Sequence, residues 1–140
     1  MRLSIIAVLA AGLAPAAWAQ TPAPRVPLDG IWRNAHDTVH IEIKPCGAQT
    51  CGYVIWANEK AQADARRGGT KQLVGLQLLR DFEPDKDGIE RGRVFVPDLN
   101  ATFAGSAQLA DPKTIKAKGC LFGSLVCKTV VWTRLENTSS

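Results

Sequence analysis

Alternation of apolar and polar residues runs through most of the chain after its N-terminal segment. Val39, Ile41 and Ile43 alternate with His40, Glu42 and Lys44, the period-two signature of a half-buried strand. Cys51–Ala57 is a β-branched and aromatic run that reads as the next strand. Leu73–Phe82 is a further strand, with Gly75 placed to form a bulge. Asp85-Lys86-Asp87-Gly88 carries turn chemistry, and Arg91–Val96 resumes the extended pattern until Pro97 closes it. Thr102–Leu109 sets Phe103, Ala107 and Leu109 on one face. After the turn at Ala110–Lys113, Ile115, Ala117 and Gly119 alternate with Lys116 and Lys118, and Thr129–Leu135 is the last strand. With a short first strand around Ile31–Arg33, about eight strands follow one another at roughly ten-residue spacing. Short links make sequential neighbours antiparallel. The expected fold class is therefore all-β, a meander barrel or a sandwich; an antiparallel up-and-down barrel of about eight strands has the advantage of leaving no exposed edge. One connection is long, Asn58–Gln72. Its Ala, Lys and Arg content predicts a short helix over Glu59–Arg67, ended by Gly68-Gly69.

The N-terminus departs from this pattern. Arg2 precedes an apolar stretch from Leu3 to Leu13, too short to span a bilayer, and Ala17-Trp18-Ala19 has the small-x-small form of a cleavage site. Residues 1–19 read as a signal peptide and 20–28 as an extended, proline-rich leader. Residues 29–136 read as the barrel domain and 137–140 as a disordered tail. Export places the chain in the periplasm or outside the cell. No second apolar stretch is long enough to cross a membrane as a helix, so the mature chain is not expected to be an integral membrane protein. The formal charge of +4, or +3 once Arg2 is removed, is a mild excess that singles out no nucleic-acid partner.

Export changes the reading of the four cysteines. In an oxidising compartment an even count points to disulfides. Cys46 and Cys51 flank Gly47–Thr50, and Cys120 and Cys127 flank Leu121–Val126. Each pair would face itself across a hairpin, so local pairing, Cys46–Cys51 and Cys120–Cys127, is the expectation. A zinc site would need tighter spacing than either pair offers.

Several segments carry a family resemblance: Gly30-Ile31-Trp32, Cys51–Trp56, Val74-Gly75-Leu76, Gly92–Pro97, Lys118–Leu121 and Cys127–Arg134. In this order and spacing they resemble the exported bacterial proteins of domain-of-unknown-function family 2147. The resemblance implies a lipocalin-like barrel and supplies no activity. Val96 and Asn100–Phe103 depart from the family's more polar pattern around the proline. A looser similarity to the wider calycin group implies that Trp32 on the first strand and Arg134 on the last stack together. That would be a structural closure of one barrel end.

No catalytic set emerges. His36 and His40 are the only histidines, and a strand and a turn do not bring them together. Ser106 and Ser124 lack a nucleophile elbow. Oxidised cysteines leave no thiol nucleophile. Asp81, Glu83, Asp85, Asp87 and Glu90 read as a solvated hairpin tip, and glycine-rich phosphate loops are absent. The expectation is a protein that is not an enzyme and carries no cofactor or metal. Two readings stay open. One is a barrel that binds a small, mostly apolar ligand, lined by Ile41, Tyr53, Ile55, Leu76, Leu78, Phe103 and Val131. These residues occupy the more apolar face of each strand, although strand three and the last strand carry apolar residues on both faces; on the last strand Val131 is preferred because the opposite face ends in Lys128 and Arg134. The other is a packed interaction module of the cell envelope. For the apolar tip Leu121–Val126, burial within the monomer is the ordinary expectation. The sequence assigns no oligomeric state.

Overall fold

The computed structural model describes residues 11–18, 28–121 and 125–136. Residues 1–10 and Ala19 of the signal segment, residues 20–27 of the leader, residues 122–124 of the apolar tip and the tail 137–140 lie outside the described residues.

Eight strands close into one barrel: β1 (Gly30–Asn34), β2 (Val39–Cys46), β3 (Gln49–Ala57), β4 (Gln77–Pro84), β5 (Glu90–Val96), β6 (Ala101–Asp111), β7 (Thr114–Leu121) and β8 (Val126–Arg134). Each pairs antiparallel with its sequence neighbour, and β8 returns to β1. The up-and-down expectation is met, with strand ends moved by a few residues. The largest change is at β4. Residues 73–76 form a turn around Gly75 (φ 92°) rather than strand, and Gly75 and Leu76 bond the backbone of Val54 from outside the ladder.

The two ends of the barrel differ. At the lower end, Trp32 is fully buried and its indole N–H donates to the Leu28 carbonyl at 2.8 Å. The Arg134 guanidinium lies 4.2 Å from the Trp32 ring centroid and donates to the carbonyls of Asp29 (2.6 Å) and Pro112 (2.9 Å). This is the expected closure, and it takes in backbone from two chain segments, Leu28-Asp29 and Pro112.

At the upper end the β3–β4 connection packs across the barrel flank. Its helix α1 (Glu59–Arg67) has the predicted span. The Asn58 side chain caps it by accepting from Ala61 N–H at 2.8 Å, and Gly68 ends it. A side chain at Gly68 would collide with the Asp98 backbone, so the glycine is what lets α1 lie against the 3-10 turn Pro97–Leu99. The buried Thr70 hydroxyl donates to the Pro97 carbonyl at 2.8 Å and ties the same two segments.

Both disulfides are local, Cys46–Cys51 and Cys120–Cys127, and no cysteine is free. Each braces its own hairpin, as the spacing predicts.

Candidate functional site

The register of β5 to β8 decides what faces inward. Glu90, Gly92 and Val94 lie opposite Ala107, Gly105 and Phe103; Ala107 and Gly105 lie in turn opposite Ala117 and Gly119. Ala117 and Gly119 then face Val130 and Lys128. This half of the inner wall is therefore built from small residues, and the reasons for smallness differ. A Cβ at Gly92 would strike Phe82, and one at Gly105 would strike Val94, so those glycines admit neighbouring side chains. A Cβ at Gly119 would meet nothing within 4 Å. Gly119 faces empty space.

That space is a cavity of about 200 Å³ inside the barrel. Ala107, Ile115, Ala117, Gly119, Val130 and Trp132 form one wall, and Ile41, Ile43, Leu78 and Leu79 contribute to the other. Val94–Pro97 bounds its upper side. Its lining is almost wholly apolar; Lys118 is the one charged residue among the lining positions. The floor is closed by the core around Trp32, Val54 and Phe82, all buried. Toward β8 the upper end is open: Val130 faces inward by register yet is 40% exposed.

A larger concavity, about 730 Å³, lies at the lower end between Leu28-Asp29, the Lys86–Glu90 turn and Ala107–Pro112. It is broad, and carboxylates of Asp29, Asp87, Glu90 and Asp111 share its lining with apolar groups. The smaller upper cavity is the better site for an apolar ligand. It is the one that withdraws apolar surface from water, which is what drives such binding.

The sequence-derived lining set divides. Ile41 and Leu78 line the cavity. Phe103 has the inward register, opposite Val94, and Leu76 packs partly buried against the core. Tyr53, Ile55 and Val131 are corrected. A register shift between His40 and Ile41 pairs Trp56 with His40 and Val54 with Ile41, leaving Ile55 as the extra residue of a bulge. Val54 turns inward and is 1% exposed, whereas Ile55 is 42% exposed. Tyr53 lies beside Lys44, 5.2 Å from the ammonium to its ring centroid, and Trp56 stacks on His40 at 4.5 Å. On β8, Val131 pairs with Lys116 on the outer face, and Val130 and Trp132 face inward. Lys128 and Arg134 share that inner register at its two ends, where a polar head reaches water past the barrel rim. Phe95, Trp132 and the opening at Gly119 escaped the sequence-derived set. The Ile115–Ala117–Gly119 alternation, with side chains shrinking toward one end, was the available signal for the last.

The remaining polar candidates are surface features. His40, on β2, shares a 2.6 Å contact with Asp37 in the exposed β1–β2 turn. Asp81 pairs with Arg93. Asp85 accepts from the Arg91 side chain at 2.7 Å and from the backbone N–H groups of Asp87 and Ile89. The Arg91 bond foremost holds the Asp85 carboxyl below the usual range. Asp81 sits at a bulge of β4 (φ 55°) and Glu90 on the inner register, so the five carboxylates do not form one hairpin tip. Among the described residues no group of three or more His, Cys, Asp or Glu side chains is placed to hold a metal ion. No helix among them is long and apolar enough to cross a membrane. The apolar tip also needs correction. Leu121 and Val126 are exposed and Leu125 is 85% exposed, so these three are not buried within the monomer.

Residues 30–134 match the family described as uncharacterized proteins conserved in bacteria, DUF2147. The chain belongs to this family. The match covers the whole DUF2147 barrel, from the first residue of β1 to the last of β8. Among solved structures, the DUF2147 chain is similar to protein HP1028 from Helicobacter pylori, described as belonging to the lipocalin family. The TM-score is 0.62 at 14% identity, over 80% of this chain and 85% of that one. At that identity the likeness is one of fold, an eight-stranded lipocalin-like barrel. No curated protein matches the sequence.

Proposed function

We propose that this DUF2147 protein is an exported, non-enzymatic carrier that binds a small, mostly apolar ligand inside its barrel. The observation that carries the reading is the inner wall of β5–β8. There Ala107, Ala117 and Gly119 leave about 200 Å³ unfilled where a packed barrel would place larger side chains. A void of that size costs stability, because its walls lack contact partners, and a ligand that fills it recovers those contacts. Two disulfides and the signal-like N-terminus support a periplasmic or secreted location. The absence of any convergent acid–base or nucleophile set among the described residues supports a binding rather than a catalytic role.

Toluene, a neutral apolar molecule of seven carbons that a cavity of about 200 Å³ can hold, tests the reading by calorimetric titration. The wild-type protein should bind it saturably, and Gly119→Leu should abolish the binding. Gly119 has no positive φ, and a side chain there enters open space, so the variant should unfold at or above the wild-type temperature. Absence of toluene binding by the wild type, or undiminished binding by a folded Gly119→Leu variant, refutes the carrier.

A second reading is favoured by the exposed rim Leu121, Leu125 and Val126. Apolar residues clustered at a disulfide-braced hairpin end suit contact with an envelope partner. A packed interaction module would be left standing if the toluene titration failed.

A further inference from the structure

Lys128 occupies an informative position. Along the inner register of the β7–β8 pair, Ile115 faces Trp132, Ala117 faces Val130 and Gly119 faces Lys128. Those residues line the cavity up to Gly119 and Val130. Lys128 is thus the next inward-register residue beyond the lining, on the side where Val130 is open to solvent. No acidic residue lines the cavity, and the ion pairs among the described residues involve neither Lys128 nor Lys118. Lys118, although among the lining positions, has the outer register opposite Thr129, so Lys128 is the unpaired lysine of the inner register at the opening. Such a chamber is complementary to a molecule with an apolar tail and a single anionic head.

Resting on the carrier reading, we propose that the ligand is an unbranched alkyl carboxylate of medium length, its tail in the cavity and its carboxylate held by Lys128 at the mouth. The volume sets the length. A methylene is close to a water molecule in size, about 30 Å³, so 200 Å³ holds about seven such groups. With the carboxyl carbon at the mouth, the fitting acid has about eight carbons. Longer tails would leave methylenes outside, and these would add little affinity.

Calorimetric titration of the wild-type protein with hexanoate, octanoate, decanoate and dodecanoate, and with octanol, tests this below the micelle-forming concentrations. Affinity should rise about fourfold per methylene up to octanoate and then level off. Octanoate should bind about fivefold more tightly than octanol. Lys128→Gln should remove that preference and leave octanol binding unchanged. Lys116→Gln, which deletes a charge from the outer face opposite Val131, should leave both affinities within about twofold of wild type. Equal binding of octanol and octanoate by the wild type, or an octanoate affinity unaltered in Lys128→Gln, overturns the anchor while leaving the carrier intact. Affinity that climbs steadily to dodecanoate overturns the length limit. Failure of every ligand, octanol included, overturns the carrier reading as well.

Discussion

Removing the Arg134 side chain should open the lower end of the barrel at a measurable cost. Arg134 makes three contacts there: the Trp32 ring at 4.2 Å, the Asp29 carbonyl at 2.6 Å and the Pro112 carbonyl at 2.9 Å. A guanidinium over an indole contributes about 0.5–1 kcal/mol where water has access. Each hydrogen bond adds a net of about 0.5–1.5 kcal/mol, and exposure keeps these near the low end. Arg134→Ala should therefore destabilise by about 2 kcal/mol, seen in urea as a lower midpoint with an unchanged slope. Arg134→Lys keeps the charge but not the planar fork, and should recover about half of the loss. Arg134→Met keeps an apolar stem over the indole and should recover less. A double-mutant cycle with Trp32→Phe should give a coupling of about 0.5–1 kcal/mol. If Arg134→Met is as stable as the wild type, the side chain serves only as an apolar cover. The polar closure described above would then be wrong.

Gly68→Ala should destabilise by about 1–3 kcal/mol by driving α1 off the Pro97–Leu99 turn, because its methyl would meet the Asp98 backbone. Hydrogen exchange at Thr70 and Asn100 should then quicken. Asn58→Ala removes the α1 cap and should cost about 1 kcal/mol in urea unfolding, whereas Asn58→Asp should retain most of it. Asp85 gives a pH signature. Its carboxyl is held low by Arg91, so the contribution is complete above the ordinary Asp value of about 3.9 and is lost as the pH falls through the lowered one. Asp85→Asn should be less stable at neutral pH and show a shallower acid limb. An acid limb as steep as that of the wild type would argue against the Arg91 pairing.

Most of the architecture was legible because it rests on local signals. The strand count, the span of α1 and both disulfides depend on alternation, local composition with its terminating glycines, and loop spacing, whereas the Trp32–Arg134 closure was implied by the resemblance to calycin barrels. Face assignment was legible only where one face was polar. Ile41 could be placed inward because His40, Glu42 and Lys44 oppose it. On β3 every candidate was apolar, and the bulge at Ile55 changed the parity between Val54 and Ala57, so periodicity carried no information there. On β8 the rule that polar residues mark the outer face failed for a physical reason. Lys128 and Arg134 stand at the two rims, where an inward-register side chain still reaches water. The cavity itself came from Gly119, and a glycine in a strand has no side chain to announce which way it faces.

The order of pairing around the barrel also bears on how the chain assembles. Seven of the eight strand pairings join consecutive strands, and only β1 with β8 brings together segments from opposite ends of the sequence. Six of the seven consecutive pairings need only a short loop to close, and β3–β4 needs the longer link that carries α1, whereas the seam needs a loop of about a hundred residues. Both covalent braces lie within hairpins, so neither helps that last closure. Hairpins should therefore form early and zip into a curved open sheet. The seam, three residue pairs long and fastened by Arg134, should be the late event. An open sheet waiting on its seam exposes two unpaired edges, so aggregation during refolding should track seam strength more closely than overall stability.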